Sequence, residues 1–254
     1  MNRLLLFLIG FSVLFASCDK ENPTPTESTL NVRFLLNYGG QPLVFNQNQA
    51  YANGDFIKLS TFHFFLSGLN IRNGADSVKL ADLSYVDFGQ SNTTLGGATG
   101  GLQLSIPKVK TGDYTSLEFG IGLPAAVNAT KPADYPSNHP LADAGNYWAG
   151  WNGYIFSKME GKVDSVANGV FASGFTFHTG LDPYYRVVKL KLPFEVDGLK
   201  AANTVTVSLD LKKLFVLGGQ PIDLFEISQA HGPANEAVIS GLVNNYQSAF
   251  SIQL

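Results

Sequence analysis

Residues 186–194 read RVVKLKLPF. Val188, Leu190 and Leu192 fall on one side of an extended chain, and Lys189 and Lys191 on the other, because successive strand side chains point to opposite faces. A strand patterned this way packs one face on a core and wets the other, as strands of antiparallel sheets do. The pattern recurs in both directions along the chain. LNVRFLLNY (Leu30–Tyr38) alternates up to Gly39-Gly40. FHFFLSGLNIR (Phe62–Arg72) runs into Asn73-Gly74, a hairpin signal, and VKLADLSYVDF (Val78–Phe88) is its expected partner. LQLSIP, YTSLEFGIGL, GYIFSKMEGKV, GFTFHTG and NTVTVSLDL read as further strands, each short and bounded by Gly, Pro, Asn or Asp. With 19 phenylalanines and 10 tyrosines in 254 residues, this predicts an all-β protein. The expected architecture is an antiparallel β-sandwich, immunoglobulin-like or jelly-roll-like, with long loops.

Helix signals are few. GPANEAVISGLVNNYQSAF (Gly232–Phe250) is the one convincing case. Pro233 suits a first turn, and Val238, Leu242, Tyr246 and Phe250 can share a face, which predicts a short C-terminal helix. SLDLKKLF (Ser208–Phe215) is expected to end in a helical turn. SNTTLGGATGG (Ser91–Gly101) reads as a flexible hairpin connection and lacks the Gly-Lys-Ser/Thr of a phosphate loop. Pro124–Trp148 is too long for a plain connection, and its closing aromatics predict an ordered segment.

The chain opens MNRLLLFLIGFSVLFASC. A basic start, an apolar run too short to span a bilayer, and small residues before the chain's single cysteine read as a lipoprotein signal peptide over residues 1–17. Cys18 is then the lipidated first residue, and its acyl chains hold the protein to a membrane at about 0.8 kcal/mol per buried CH₂. The following DKENPTPTES has nothing to bury, so residues 18–29 read as a tether and 30–254 as one folded domain. The expected location is the outer membrane, facing the periplasm or the cell surface. The chain has 17 Lys and Arg against 20 Asp and Glu. Loss of Arg3 with the signal leaves 16 against 20, a net of about −4 with no basic patch, which argues against a nucleic-acid partner.

There is no G-x-S-x-G elbow, no H-E-x-x-H and no cysteine nucleophile beyond the anchor residue, so no enzymatic activity is expected. The candidate chemistry lies in NHPLADAGNYWAGWNGY (Asn138–Tyr154), which holds both tryptophans, Trp148 and Trp151, and one of the four histidines, His139. In GFTFHTG (Gly174–Gly180), alternation sets Phe175 and Phe177 on one face and Thr176 and His178 on the other. Two histidines from different elements can bind a soft or borderline metal, copper above all, and His139 with His178 is the expected pair. His63, on the face of Phe65, reads as a packing residue. His231, before the last helix, reads as a loop or capping residue.

Five stretches together resemble the MbnP-like domain family, the methanobactin-associated copper-binding proteins. They are the opening with Gly39, Gly40, Pro42, Leu43, Tyr51, Asn53, Gly54 and Asp55; the run Phe62–Ser67; FGIGLP (Phe119–Pro124); NYWAGWNGYIFSKMEG (Asn146–Gly161); and GFTFHTG. The resemblance implies a secreted β-sandwich that binds copper without catalytic turnover. It implies copper held by histidines beside a tryptophan, which a di-haem partner enzyme oxidises. Trp148 and Trp151 match the family's tryptophan segment, and His178 matches its strand histidine. This chain departs from the pattern in separating its tryptophans by two residues, Ala149 and Gly150. It also has Asn128-Ala129 where copper-binding members carry Asn-His, which leaves His139 as the substitute ligand. The alternative reading is a surface-exposed module that binds a glycan or a protein through the Trp/Tyr loop.

Overall fold

In the computed structural model, which describes residues 25–254, alternation becomes a two-sheet sandwich. The expected lipoprotein signal and the expected lipidation site Cys18 lie outside the described residues, as does most of the expected tether. The chain forms β1 (Glu27–Tyr38), the two-residue bridges β2 (Gln41–Pro42) and β3 (Gln49–Ala50), and then the long strand β4 (Phe56–Asn73). β5 (Asp76–Asp87) follows through the expected turn, with Asn73 opposite Asp76 and Gly74 at φ +58°. Next come α1 (Leu95–Gly100), β6 (Leu102–Lys110), β7 (Gly112–Ile121), α2 (Ala125–Asn128), β8 (Tyr147–Trp148), β9 (Gly153–Asp164) and β10 (Ser173–Gly180). The chain ends with β11 (Arg186–Val196), β12 (Ala202–Asp210), a β13–β14 ribbon (Val216–Leu217, Gln220–Pro221), β15 (Gln229–His231), α3 (Glu236–Ala249) and β16 (Phe250–Gln253).

The smaller sheet runs β16-β12-β1-β2 with β6 also on β1. The larger runs β11-β7-β4-β9-β10-β15, with β3 and β5 on β4 and β8 on β9. Their inner faces bury Val32, Phe34, Leu36, Phe64, Leu66, Phe119, Val188, Leu190, Phe175 and Phe177 in one core. Burying a phenylalanine of this kind stabilises the fold by about 1.5–3 kcal/mol.

The structure differs from the sequence-based expectation in four places. Two strand pairs are parallel, β1 with β12 and β10 with β15. Glu27 and Ser28 already pair with Lys110 and Val109, so the sheet begins before Leu30. Ser91–Gly101 is not a loose connection: the Thr94 side chain accepts from the Gly97 N–H and starts α1, Ala98 is buried, and Asn92 donates to the Leu43 carbonyl. Phe250 caps the helix, its N–H still bonded to the Tyr246 carbonyl, and opens β16, which pairs with β12.

The long segment after β7 is ordered, and it positions the candidate site. It packs a second, smaller core on the outer face of the larger sheet, from Phe65, Leu123, Leu141, Tyr154 and Phe156. Asn128 ties it down, accepting from the Tyr154 N–H and donating to Asp182.

Candidate metal centre

Five strands of the larger sheet place one row of side chains abreast. Asp87, at the end of β5, pairs with His63 of β4, His63 with Lys158 of β9, Lys158 with His178 of β10, and His178 with His231 of β15. Side chains at paired positions lie on the same face, here the face away from the main core, because Phe177 and Met159 point inward.

At the far end of this row two imidazoles meet. The rings of His178 and His231 are centred 4.6 Å apart. The Nε2 of His178 donates to Glu160 Oε1 at 2.9 Å, and the Nε2 of His231 hydrogen-bonds to the Thr176 hydroxyl at 3.1 Å. Lys158 Nζ lies 3.5 Å from the same Glu160 oxygen. His178 is only 7 % exposed, and its Nδ1 is buried without a hydrogen-bond partner among the described residues. A buried polar atom in that condition costs stability unless something at the site satisfies it.

Electrostatics keep the pair ready to ligate. Burial pushes the His178 pKa down to about 4, against the upward pull of the Glu160 hydrogen bond. Burial also lowers that of His231. Both rings are thus neutral near pH 7, the form that binds metals. Burial pushes the Glu160 carboxyl upward, but the His178 hydrogen bond and the Lys158 charge outweigh it and hold the group below its usual range.

The tryptophans roof this pair. β8 and β9 form a hairpin through Ala149–Asn152, whose first turn, Trp148–Trp151, is closed by Trp151 N–H to Trp148 O at 3.0 Å. Ala149 and Gly150 are the two central turn residues, which explains the spacing in the sequence. The turn stacks the two indoles at 4.9 Å and 15°. Trp148 then faces both imidazoles, 5.0 Å from His231 and 5.8 Å from His178. Trp151 lies over two glycines: a Cβ at Gly180 would collide with its ring, and one at Gly232 would sit 2.7 Å from its Nε1.

The other expected ligand is elsewhere. His139 is stacked on Tyr135 at 4.4 Å and 10°, and its Nδ1 accepts from the Leu141 N–H. It braces the long segment beside Leu83 and Leu123 rather than facing His178. The histidine that does face His178 is His231, which the sequence reading set aside as a capping residue. His63 sits beyond Lys158 against Tyr85, with its Nε2 buried and its pKa pushed by burial down to about 4.

The residue set can be tested for copper. Among the described residues no group of three or more His, Cys, Asp or Glu is arranged to hold a metal. Zinc sites need three or four such protein ligands, so two nitrogens under an indole do not suit zinc. They would suit a cuprous ion, which accepts few ligands, with the indole of Trp148 beside it as a further soft neighbour.

The family model for MbnP matches residues 27–237. The chain belongs to the MbnP family. MbnP from Methylosinus trichosporium has a similar structure, with a TM-score of 0.55 and 16 % identity, over 89 % of this chain and 98 % of that one. That likeness extends the shared fold through the whole MbnP sandwich. No curated protein sequence matches the chain.

Proposed function

We propose that this MbnP-family chain is a copper-binding protein that holds one cuprous ion between His178 and His231 under Trp148, as a carrier or store and not as an enzyme. The observation that carries this reading is the buried Nδ1 of His178, without a hydrogen-bond partner among the described residues, beside a second neutral imidazole. The protein's own part is to keep both rings neutral, hold them side by side on paired strands, and keep water off them with the tryptophan hairpin. Bound copper would supply one-electron chemistry next to an indole. A tryptophan-oxidising di-haem partner, implied for the family, would act there on Trp148 or Trp151. Lipidation at Cys18 would hold the domain on the outer membrane, where it faces the periplasm or the cell surface.

The glycan- or protein-binding alternative asks for a flat exposed aromatic platform. Both indoles are half-buried and spend their faces on each other, on the histidines and on the glycines, so geometry favours the metal reading.

The test is metal content and cuprous-ion competition on purified mature protein. The expected result is one copper per chain, lost in His178→Ala and in His231→Ala and kept in His139→Ala. Equal copper uptake by all three variants would end the proposal.

A further inference from the structure

Imidazole offers a metal either of two nitrogens, and the choice is set by what the other nitrogen does. Here the choice is built into β9 and β10. Glu160 and Thr176 are themselves register partners, one alternation step from the Lys158–His178 pair, so both point to the face that carries the histidines. Glu160 accepts from His178 Nε2 at 2.9 Å, and Lys158, 3.5 Å away, favours the carboxylate form, which can only accept. The hydrogen on a neutral His178 ring is therefore on Nε2, and Nδ1 carries the lone pair. Thr176 occupies Nε2 of His231, and with that nitrogen donating to the hydroxyl oxygen the His231 lone pair is likewise on Nδ1.

We infer that Glu160 and Thr176 are positioning residues that fix both histidines through Nε2, so that the two Nδ1 atoms are the metal ligands. This rests on the copper reading above and goes beyond it, because it names the ligating atoms and the residues that select them. A carboxylate behind a ligating histidine also raises the basicity of the ligand, and loss of such a partner typically weakens metal binding by about 10–100-fold.

The experiment uses the full domain, metal-free and loaded, and reads the histidine tautomer directly by long-range ¹H–¹⁵N NMR. In metal-free wild type, His178 should show a protonated Nε2 and a bare Nδ1. Glu160→Ala should give a mixed tautomer at His178 and about 10–100-fold weaker cuprous binding. Glu160→Gln, whose amide oxygen can still accept from Nε2, should keep the tautomer and recover most of the affinity. A purely structural role would lower stability but would not move the tautomer. A wild type with Nδ1–H at His178, or a Glu160→Ala protein with unchanged tautomer and affinity that still binds copper, overturns the inference and leaves the copper reading intact. A wild type that takes up no copper overturns both.

Discussion

Gly180 shows how much one missing methyl group decides. It lies at the end of β10, with the Trp151 ring on one side and the Tyr154 carbonyl on the other, and an added Cβ would meet both. Overpacking of this kind costs about 1–3 kcal/mol. Gly180→Ala should lower stability by about that amount and tilt the Trp148–Trp151 stack. Chemical denaturation and tryptophan emission would check this. An unchanged midpoint together with unchanged emission would mean that Trp151 does not rest there. At this scale the sequence was informative about His178, because period-two alternation fixes its face from Phe175 and Phe177 alone. It was misleading about His139, because proximity to the tryptophans along the chain is not proximity in space. The hairpin at Ala149 and Gly150 turns Trp148 back over the sheet, while His139 stays behind with Tyr135.

Among the elements, α3 is joined to the larger sheet by polar as well as apolar contacts. Its buried stripe includes Val238, Ile239, Leu242, Val243 and Tyr246. The Tyr246 hydroxyl is 2.6 Å from Ser157 Oγ on β9, and Ser157 is 2.8 Å from Thr179 on β10, all three buried. Tyr246→Phe leaves these hydroxyls short of a partner, a loss of about 1–3 kcal/mol for a buried group. Equilibrium unfolding should show it, and the cost should shrink when Ser157→Ala is added, because the two positions share one interaction. Independent, fully additive effects would contradict the network. The helix was legible from its 3.6-residue period. The end of the helix was not, because Phe250 fits the helical face and the strand equally well, and only pairing with β12 decides between them. His231 was hidden for a related reason. β10 and β15 pair in parallel across a long separation in sequence, and three residues of QAH carry no local mark of that partnership.

For the molecule as a whole, pH is the informative variable. Burial holds both His63 and His178 near a pKa of about 4, well below the 6.5 of a free histidine. Above pH 6.5 neither the folded nor the unfolded chain protonates them, and stability is at its full value. As pH falls from 6.5 towards 4 the unfolded chain takes up protons that the folded chain refuses, so stability drops at up to about 1.4 kcal/mol per unit for each ring. Below about 4 both states are protonated and this contribution levels off. Denaturation midpoints of the metal-free domain between pH 7 and 4 should trace that fall, and His63→Phe should flatten part of it. A flat profile in wild type would show that the two rings are not buried neutral.

β15 is a three-residue strand at the edge of the larger sheet, and half of the candidate centre rides on it. An ion shared by His178 and His231 would be a clasp across about 50 residues of intervening chain. Closing a loop of that length by a cross-link is worth about 4 kcal/mol in chain-entropy terms. Peeling the edge strand and releasing the ion would then be a single event. Hydrogen exchange at the β15 amides should slow on copper loading in step with the dissociation rate of the metal, and exchange indifferent to loading would separate the two. On this view the sandwich acts as a latch, with the ion as its pin and a short edge strand as the moving part.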